Sequence, residues 1–436
     1  MGFVLIAVAM SGVWLRKGTW GAMGAITFAI GAVGVHFFGG QARAVLANAP
    51  LHDVISRSAD SEMEVGPSLA ASSDGTLAVT WVALMGGRDD GGRYVAARVS
   101  APNGGALARA LRVTTVTGEA RVSDASVVPL AGDPHAFLVT WLSARTGQAG
   151  EVYCARLSPT AVTPAVRVAT DVRGHVRTTT TPEGAVLIFT PGAHGGLTLS
   201  TTHDGVTFTH RDILAPETAE PSEDAGSETP EMVVNGCSDD HHALALTVDA
   251  KRGVRVSDIP IDPEGPIQTT DVSSPSEHVA RDAPTCFIAG QEAFVVYGVA
   301  EKAREDAEVA IADSLIFARS RDSGHTFWSR VTYRPSSRLL HPAFLHAAGS
   351  FTMLAVMGGG IGDAHASASV IMLNADGRSQ NGLTRTALAP LTLVASRDAA
   401  GYMGDTLGLA VVGGVTWAAV VDNASGESHV ALVHVL

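Results

Sequence analysis

Arginine side chains recur just ahead of apolar segments of this chain, where they could bind a carboxylate. Arg121, Arg177 and Arg281 each precede such a segment, and Asp282 directly follows Arg281. A guanidinium group presents its N–H donors in a planar fork that matches the two oxygens of a carboxylate. If the fold brings these positions together, they form a clamp for an acidic ligand. The alternative is that each arginine is a solvated loop charge or pairs with a neighbouring aspartate.

A second polar cluster combines side-chain types that bind metal ions. The run CSDDHH at 237–242 holds a cysteine, two aspartates and two histidines. A polar turn between strands explains it better, and the spacing of Cys154, Cys237 and Cys286 matches no zinc pattern. We therefore predict no metal and no cofactor. Three cysteines allow at most one disulfide. Cys237 and Cys286 either form it or remain free thiols that are buried as small apolar side chains.

The charge balance argues against a nucleic-acid partner. The formal net charge is -13, and the chain contains neither a basic run nor a nucleotide-binding loop. Proteins that bind nucleic acids draw most of their affinity from clustered basic residues that contact phosphates.

The N-terminus is predicted to target the protein to a membrane. Residues 21–38 are apolar and uncharged, Arg16 and Lys17 lie just before them, and Ala42-Arg43-Ala44 resembles a cleavage site. This pattern is typical of a signal peptide or a membrane anchor over residues 1–44, and whether it is cleaved stays open. The preference for arginine over lysine favours a bacterial source. The remaining residues are expected to be extracytoplasmic.

Short apolar strands repeat along the body of the chain. Aromatic residues near the end of one strand of each unit lie at Trp81, Trp141, Phe189 and Tyr297, and the last interval spans two units, which indicates a period near 54 residues. Units of this length, with several strands and no helical pattern, are typical of β-propeller blades. We predict an all-β, seven-bladed β-propeller, with six blades as the alternative because the unit at 341–392 is poorly marked.

The two ends of the repeat are expected to meet. The last unit stops after its third strand, whereas the segment 52–67 begins with an extended piece that has no partner of its own. Pairing of about residues 52–61 with the last unit would close the ring and remove its open edges. The prediction is a single domain over residues 45–436, a monomer, whose entrance loops converge on one axial face.

One turn resembles a motif of a known family. In ARSRDSGHTFW, from residue 318, the order Ser-x-Asp-x-Gly-x-Thr-Phe resembles the Asp-box of bacterial neuraminidase repeats and sialidase-like β-propellers. The motif residues are Ser320, Asp322, Gly324, Thr326 and Phe327, and a weaker copy places Thr201, His203, Gly205, Thr207 and Phe208 in matching positions. The resemblance implies a structural turn between third and fourth strands, on the face opposite an active centre.

The same resemblance defines what an enzyme would need. Sialidases bind the sugar carboxylate with three arginines and use an aspartate with a tyrosine nucleophile. Arg121, Arg177 and Arg281 could supply the arginines, and Tyr402 with Asp405 is the candidate catalytic pair in an entrance loop. The phrase that carries the first arginine in that family is absent here, because Glu64-Val65-Gly66-Pro67 stands in its place.

The sequence therefore favours an exported, non-catalytic propeller that binds an extracellular carbohydrate or protein ligand through its axial loop face. An exo-sialidase-like glycoside hydrolase and a structural module of the cell envelope are the alternatives. Membrane contact is expected only through residues 1–44, with the body secreted, periplasmic or membrane-anchored. The identity of the ligand stays open.

Overall fold

The computed structural model describes 18 segments of the chain, and the predictions for residues 1–44 lie outside them. The described segments are 53–56, 61–85, 92–116, 120–192, 195–215, 233–249, 253–262, 264–274, 277–279, 284–300, 314–333, 339–346, 351–358, 367–374, 383–387, 408–413, 415–422 and 429–434. This part of the chain is built of β-strands, with one 3₁₀ turn at Pro102–Gly104. It contains no helix long and apolar enough to cross a membrane.

The strands are numbered in chain order. Their bounds are β1 (Asp53–Val54), β2 (Ser61–Ala71), β3 (Leu77–Met85), β4 (Arg93–Val99), β5 (Leu111–Val116), β6 (Ala120–Pro129), β7 (Phe137–Arg145), β8 (Gly150–Leu157), β9 (Val166–Val172), β10 (Arg177–Thr180), β11 (Val186–Pro191), β12 (Leu197–Thr202), β13 (Thr209–Leu214), β14 (Val233–Ser238), β15 (His242–Asp249), β16 (Gly253–Pro260), β17 (Gln268–Asp271), β18 (His278–Val279), β19 (Thr285–Ala289), β20 (Glu292–Ala300), β21 (Ser314–Ser320), β22 (Ser329–Tyr333), β23 (Leu339–His346), β24 (Phe351–Gly358), β25 (Ser367–Asn374), β26 (Leu383–Ala387), β27 (Gly408–Val412), β28 (Val415–Asp422) and β29 (His429–His434).

These strands form antiparallel sheets that follow one another along the chain. Sheet 1 is β2–β5, sheet 2 is β6–β9, sheet 3 is β10–β13, sheet 4 is β14–β17, sheet 5 is β18–β22, sheet 6 is β23–β26, and sheet 7 is β27–β29 with β1. The first strand of sheet 5 is in two pieces, because β18 and β19 both pair with β20. The prediction of an all-β fold is confirmed.

The first strands contact one another in a closed series. In order, β2 contacts β6, then β10, β14, β19, β23 and β27 follow, and β27 contacts β2 again. Sheets arranged radially in this way, each with its first strand innermost, are the architecture of a β-propeller. Turns between first and second strands therefore share one face of the ring with turns between third and fourth strands, while the other connections lie on the opposite face.

Sheet-on-sheet packing explains why the second strands are apolar on both sides. Each sheet lies between two neighbours, so both faces of its central strands are buried and the strand reads as a continuous apolar run. All six residues of β11 are buried. The aromatic residues that revealed the repeat are buried too, with Trp81 and Trp141 at 2% exposure and Phe189 and Tyr297 at 0%.

The N-terminal strand pairs with the last sheet. Asp53 lies opposite Leu432 and Val54 opposite Ala431, and the Ile55 N–H donates to the Val430 carbonyl at 2.9 Å. The described pairing is shorter than the expected segment 52–61. After Ile55 a side chain continues the contact with β29, because the Ser56 hydroxyl accepts a hydrogen bond from the Val430 N–H at 2.7 Å.

A disulfide joins the first strands of sheets 4 and 5. It links Cys237 on β14 to Cys286 on β19, which resolves the question that the spacing of the cysteines left open. Cys154 is a free, buried thiol. Burial raises the pKa of Cys154 to about 12, and the nearby Asp204 carboxylate adds to that effect. The Cys154 thiol is therefore protonated and unreactive at neutral pH.

The turn between β21 and β22 is held by side-chain hydrogen bonds. The Ser320 hydroxyl donates to Asp322 at 2.6 Å and accepts from the Gly324 N–H at 2.9 Å, while Asp322 accepts from the Thr326 N–H and hydroxyl at 2.8 and 2.6 Å. Burial alone would raise the pKa of Asp322, but the bonds from Ser320 and Thr326 lower it overall. Gly324 has φ +96, a conformation that favours glycine. Phe327 packs against the core of sheets 4 and 5.

The matching turn between β12 and β13 uses different residues from those predicted. The Thr202 hydroxyl accepts from the Gly205 N–H at 2.9 Å, and Asp204 accepts from the Val206 and Thr207 N–H groups, both at 2.8 Å. These backbone bonds lower the pKa of Asp204. The assignment of Thr201 and His203 to these roles is therefore wrong. The turn is one residue shorter than its partner, so an alignment by equal spacing shifts the aspartate.

Replacing Asp204 with alanine is expected to lower the melting temperature by about 2 °C, because the backbone N–H groups of Val206 and Thr207 lose their acceptor. Replacing its exposed neighbour His203 with alanine should change the melting temperature by less than about 1 °C. Thermal unfolding of the two variants beside the parent protein measures both effects. An equal or larger loss in His203→Ala would restore the equal-spacing alignment.

Candidate functional site

Inner strands of three sheets bulge at equivalent positions. The register shifts between Val65 and Ser68 in β2, between Ser123 and Ser126 in β6, and between Leu340 and Ala343 in β23. A β-bulge disrupts the ladder and redirects a side chain, and bulges are common beside binding and active sites. The three bulges contain Gly66, Asp124 and His341 at matching places. They follow the connections from outer to inner strands, on the predicted entrance face.

Asp124 lies in the bulge of β6 and contacts residues just before sheet 3. Its backbone is left-handed, with φ +50, and its side chain is only 8% exposed. The Asp124 carboxylate lies 2.9 Å from Nδ1 of His175, accepts from the Val176 N–H at 3.4 Å, and lies 4.0 Å from Nη1 of Arg177. We call Asp124, His175 and Arg177 the entrance cluster. Of the three, Arg177 belongs to the arginine clamp that the sequence predicted.

The two basic side chains of the entrance cluster lower the pKa of Asp124. Burial raises the pKa of Asp124, but the charge and hydrogen bond of His175, with a further contribution from Arg177, bring it below its usual value. Asp124 is therefore ionised at neutral pH and orients both partners. Arg177 retains 17% of its side-chain surface exposed and His175 retains 34%. With one carboxylate facing two basic groups, an anionic ligand at this rim would find no net repulsion.

A threonine pair supports the base of the entrance cluster. The hydroxyls of Thr140, on β7, and Thr178, next to Arg177 on β10, lie 2.7 Å apart. Thr140 is fully buried. This bond fixes the start of β10 against sheet 2, so the Arg177 backbone is held on a rigid strand rather than on a loop.

The other predicted site residues do not join this cluster. Arg121, on the same strand as Asp124, is exposed, and its side chain makes no ion pair or hydrogen bond with another described residue. Arg281, Asp282, Tyr402 and Asp405 lie outside the described residues. The structure therefore places one arginine of the predicted clamp beside an aspartate of the preceding sheet, which is the salt-bridge alternative considered from the sequence.

Two described tyrosines face carboxylates, but neither is arranged as a nucleophile. The Tyr297 hydroxyl donates to Glu277 at 2.8 Å, yet Tyr297 has no exposed surface. The Tyr153 hydroxyl donates to Glu151 at 2.6 Å, and that bond raises the pKa of Tyr153. An activated nucleophile needs access to substrate and easier deprotonation. Both pairs therefore stabilise the sheets.

The polar run at 237–242 forms a turn and a bridge between sheets. Asp239 accepts from the backbone N–H groups of His241 and His242, both at 2.8 Å, and from Gly290 of sheet 5 at 2.7 Å. The His242 ring lies 2.8 Å from Asp258, whose other oxygen lies 2.7 Å from His325. The described part of the chain contains no group of three side chains able to hold a metal ion.

Comparisons with known proteins give a likeness in fold. No protein-family model matches the sequence, and no curated protein matches it. Similar solved structures include the K499G mutant of NanB sialidase from Streptococcus pneumoniae, with TM-score 0.49, 9% identity, and coverage of 88% of this chain and 70% of that chain. An α-L-arabinofuranosidase from Fusarium graminearum has TM-score 0.46, 10% identity, and coverage of 88% and 97%. The SapL1 lectin, bound to α-methyl fucoside, has TM-score 0.39, 12% identity, and coverage of 76% and 97%.

Proposed function

We propose that this protein is an exported, non-catalytic binding propeller of seven blades, sialidase-like in fold, which recognises an acidic carbohydrate through its axial entrance face. The observation that carries the proposal is the entrance cluster. A buried, ionised Asp124 holds His175 and Arg177 at the rim, and both basic side chains keep exposed surface. A guanidinium held in this way is pre-organised for a carboxylate, so less entropy is lost on binding.

Three structural features support the blade count, the extracytoplasmic location and binding rather than hydrolysis. The closed series of contacts among first strands contains one strand, whole or in two pieces, from each of sheets 1 to 7. The disulfide between Cys237 and Cys286 is of a kind that persists in oxidising compartments, which favours an extracytoplasmic site. The two tyrosine–carboxylate pairs favour binding over hydrolysis, because neither offers an exposed, activated hydroxyl.

Replacing Arg177 with alanine is expected to weaken binding of sialylated or uronate-containing oligosaccharides at least about tenfold, because a charge-assisted hydrogen bond to the carboxylate is lost. A glycan array probed with the full chain identifies the binder, and calorimetric titration of that glycan measures the change. Neutral oligosaccharides of equal length should bind no better to the parent protein than to Arg177→Ala.

Arg167→Ala is the matched control. Arg167 also pairs with a carboxylate, Glu151 at 2.9 Å, but it lies on the outermost strand of sheet 2 and is 59% exposed. Its loss should leave glycan affinity within about twofold. An equal loss in both variants, or no acidic glycan bound at all, would contradict the proposal. If the parent protein releases a fluorescent aglycone from a sialoside and Arg177→Ala does not, the proposed function would be hydrolysis instead of binding alone.

A further inference from the structure

A cleft lies between sheet 1 and the closing strand of sheet 7, on the side of the ring and apart from the entrance cluster. Its volume is about 600 Å³, which lies within the usual range for small-molecule sites. Its lining includes Ile55, Tyr94, Ala96, Arg98, Arg109 and Arg112. We call this space the lateral cleft.

The lateral cleft lies where sheet 1 carries a small side chain and the next sheet carries a large one. Opposite Trp81 on sheet 1 lies Ala96. At the matching place in sheet 2, opposite Trp141, lies Tyr153. Ala96 faces the closing sheet, in the same apolar cluster as Ile55. The smaller side-chain volume at Ala96 leaves room that Tyr153 fills in sheet 2.

Arg98 holds the walls of the cleft in place. Its Nε–H donates to the Ala108 carbonyl at 2.8 Å, and its Nη1–H donates to the Ile55 carbonyl at 2.7 Å. One side chain thereby ties the loop before β5 to the closing strand. The cleft is a built feature of the fold, because both of its walls are fixed by the same guanidinium.

Two further arginines line the cleft without an acidic partner. Arg109 and Arg112 are exposed, and neither makes an ion pair with a described residue. Arg112 lies over the ring of Tyr94, with its guanidinium carbon 4.3 Å from the ring centre. Stacking of this kind covers one face of the guanidinium and leaves its N–H edge available for an anion.

We propose that the lateral cleft binds a small organic anion with an apolar body. The anionic head, a carboxylate or a phosphate monoester, is held by Arg109 and Arg112. The apolar body lies against Ala110 and Leu111, the lining apolar residues that keep more exposed surface, while Ile55, Ala96 and Tyr94 in the same lining are at most 5% exposed. A hydrophilic acidic sugar of the kind expected at the entrance cluster lacks that body, so the two sites differ in ligand class.

Naphthoate and naphthyl phosphate are the probes, titrated into the full chain by calorimetry. At least one should bind with a dissociation constant of about 1 mM or tighter, and the one that binds identifies the head group. Neutral naphthamide should bind at least about tenfold more weakly, as should inorganic phosphate, which lacks the apolar body. Equal binding of naphthamide, or no binding of either anion at about 10 mM, would overturn the proposal.

Four variants separate this site from others. Arg109→Ala combined with Arg112→Ala changes only exposed side chains and should weaken binding at least about tenfold. Ala96→Leu keeps both charges but fills the cleft, and should weaken binding as strongly. Arg321→Ala is the control, because Arg321 also stacks on an aromatic ring, Trp328 at 4.6 Å, but lines no part of the cleft. If Arg321→Ala or Arg177→Ala weakens probe binding as much as the double variant does, the site lies elsewhere.

Discussion

Replacing Glu64 with alanine is expected to lower the free energy of unfolding by about 3–5 kcal/mol, because the buried partners of its carboxylate then lose that group. Glu64 has no exposed surface. Its Oε2 accepts from the Ser56 hydroxyl and lies 3.2 Å from Nδ1 of His429, which is 7% exposed. Ser56 in turn accepts from the Val430 N–H. One carboxylate on the first inner strand thus connects both strands that close the ring.

The loss should appear first at the closing strand. The Ile55 and Val430 amides donate across the junction between β1 and β29, so opening of that junction exposes both to exchange. Hydrogen exchange at these amides is expected to quicken by about a hundredfold or more, while amides in sheet 3 change less. Urea unfolding supplies the global free energy.

Glu292→Ala and Glu64→Gln are the comparisons. Glu292 also pairs with a basic side chain, Arg319 at 2.6 Å, but it is 38% exposed, so its removal should cost about 1 kcal/mol or less. Glutamine at position 64 keeps an acceptor of the same size, and the loss should be smaller than with alanine. A loss in Glu64→Ala no greater than in Glu292→Ala would mean that ring closure does not depend on this carboxylate.

Much of the strand pattern was predictable because it depends on local physics. Strands buried on both faces must be apolar throughout, so runs such as the one ending near Trp141 reveal themselves without knowledge of their neighbours. The turn at Ser320 and Asp322 was also predictable from the sequence, since its hydrogen bonds join residues within four positions of one another. The copy at Thr202 is one residue shorter, so alignment by equal spacing assigned the role of the aspartate to His203 instead of Asp204.

The site was less predictable because its geometry depends on pairs far apart in the chain. Arg177 was predicted as a clamp residue, but its approach to Asp124, about 50 positions earlier, depends on the bulge in β6. No periodicity signals a bulge of this kind. Likewise, the partnership of Glu64 with His429 spans 365 positions, and Glu64 appeared in the sequence only as part of a departure from the sialidase pattern.

Replacing both Cys237 and Cys286 with serine is expected to lower the free energy of unfolding by about 4 kcal/mol, the second large effect. The bridge closes a loop of 49 residues that contains all the strands of sheet 4 after β14. A cross-link over a loop of that length removes conformational entropy from the unfolded chain, which by loop-closure reasoning corresponds to about 4 kcal/mol at 25 °C. Urea unfolding of the oxidised parent, the reduced parent and the double variant measures the loss.

Thiol counting makes that experiment decisive. Denatured parent protein should show one reactive thiol before reduction, from Cys154, and three afterwards. Cys154→Ala is the control, since it keeps the bridge and should cost about 1 kcal/mol through lost packing in the core of sheets 2 and 3. Three thiols before reduction, or equal stability of the oxidised and reduced parent, would remove the bridge as a stabilising element. The argument for an oxidising compartment would then fail as well, because it depends on the same bond.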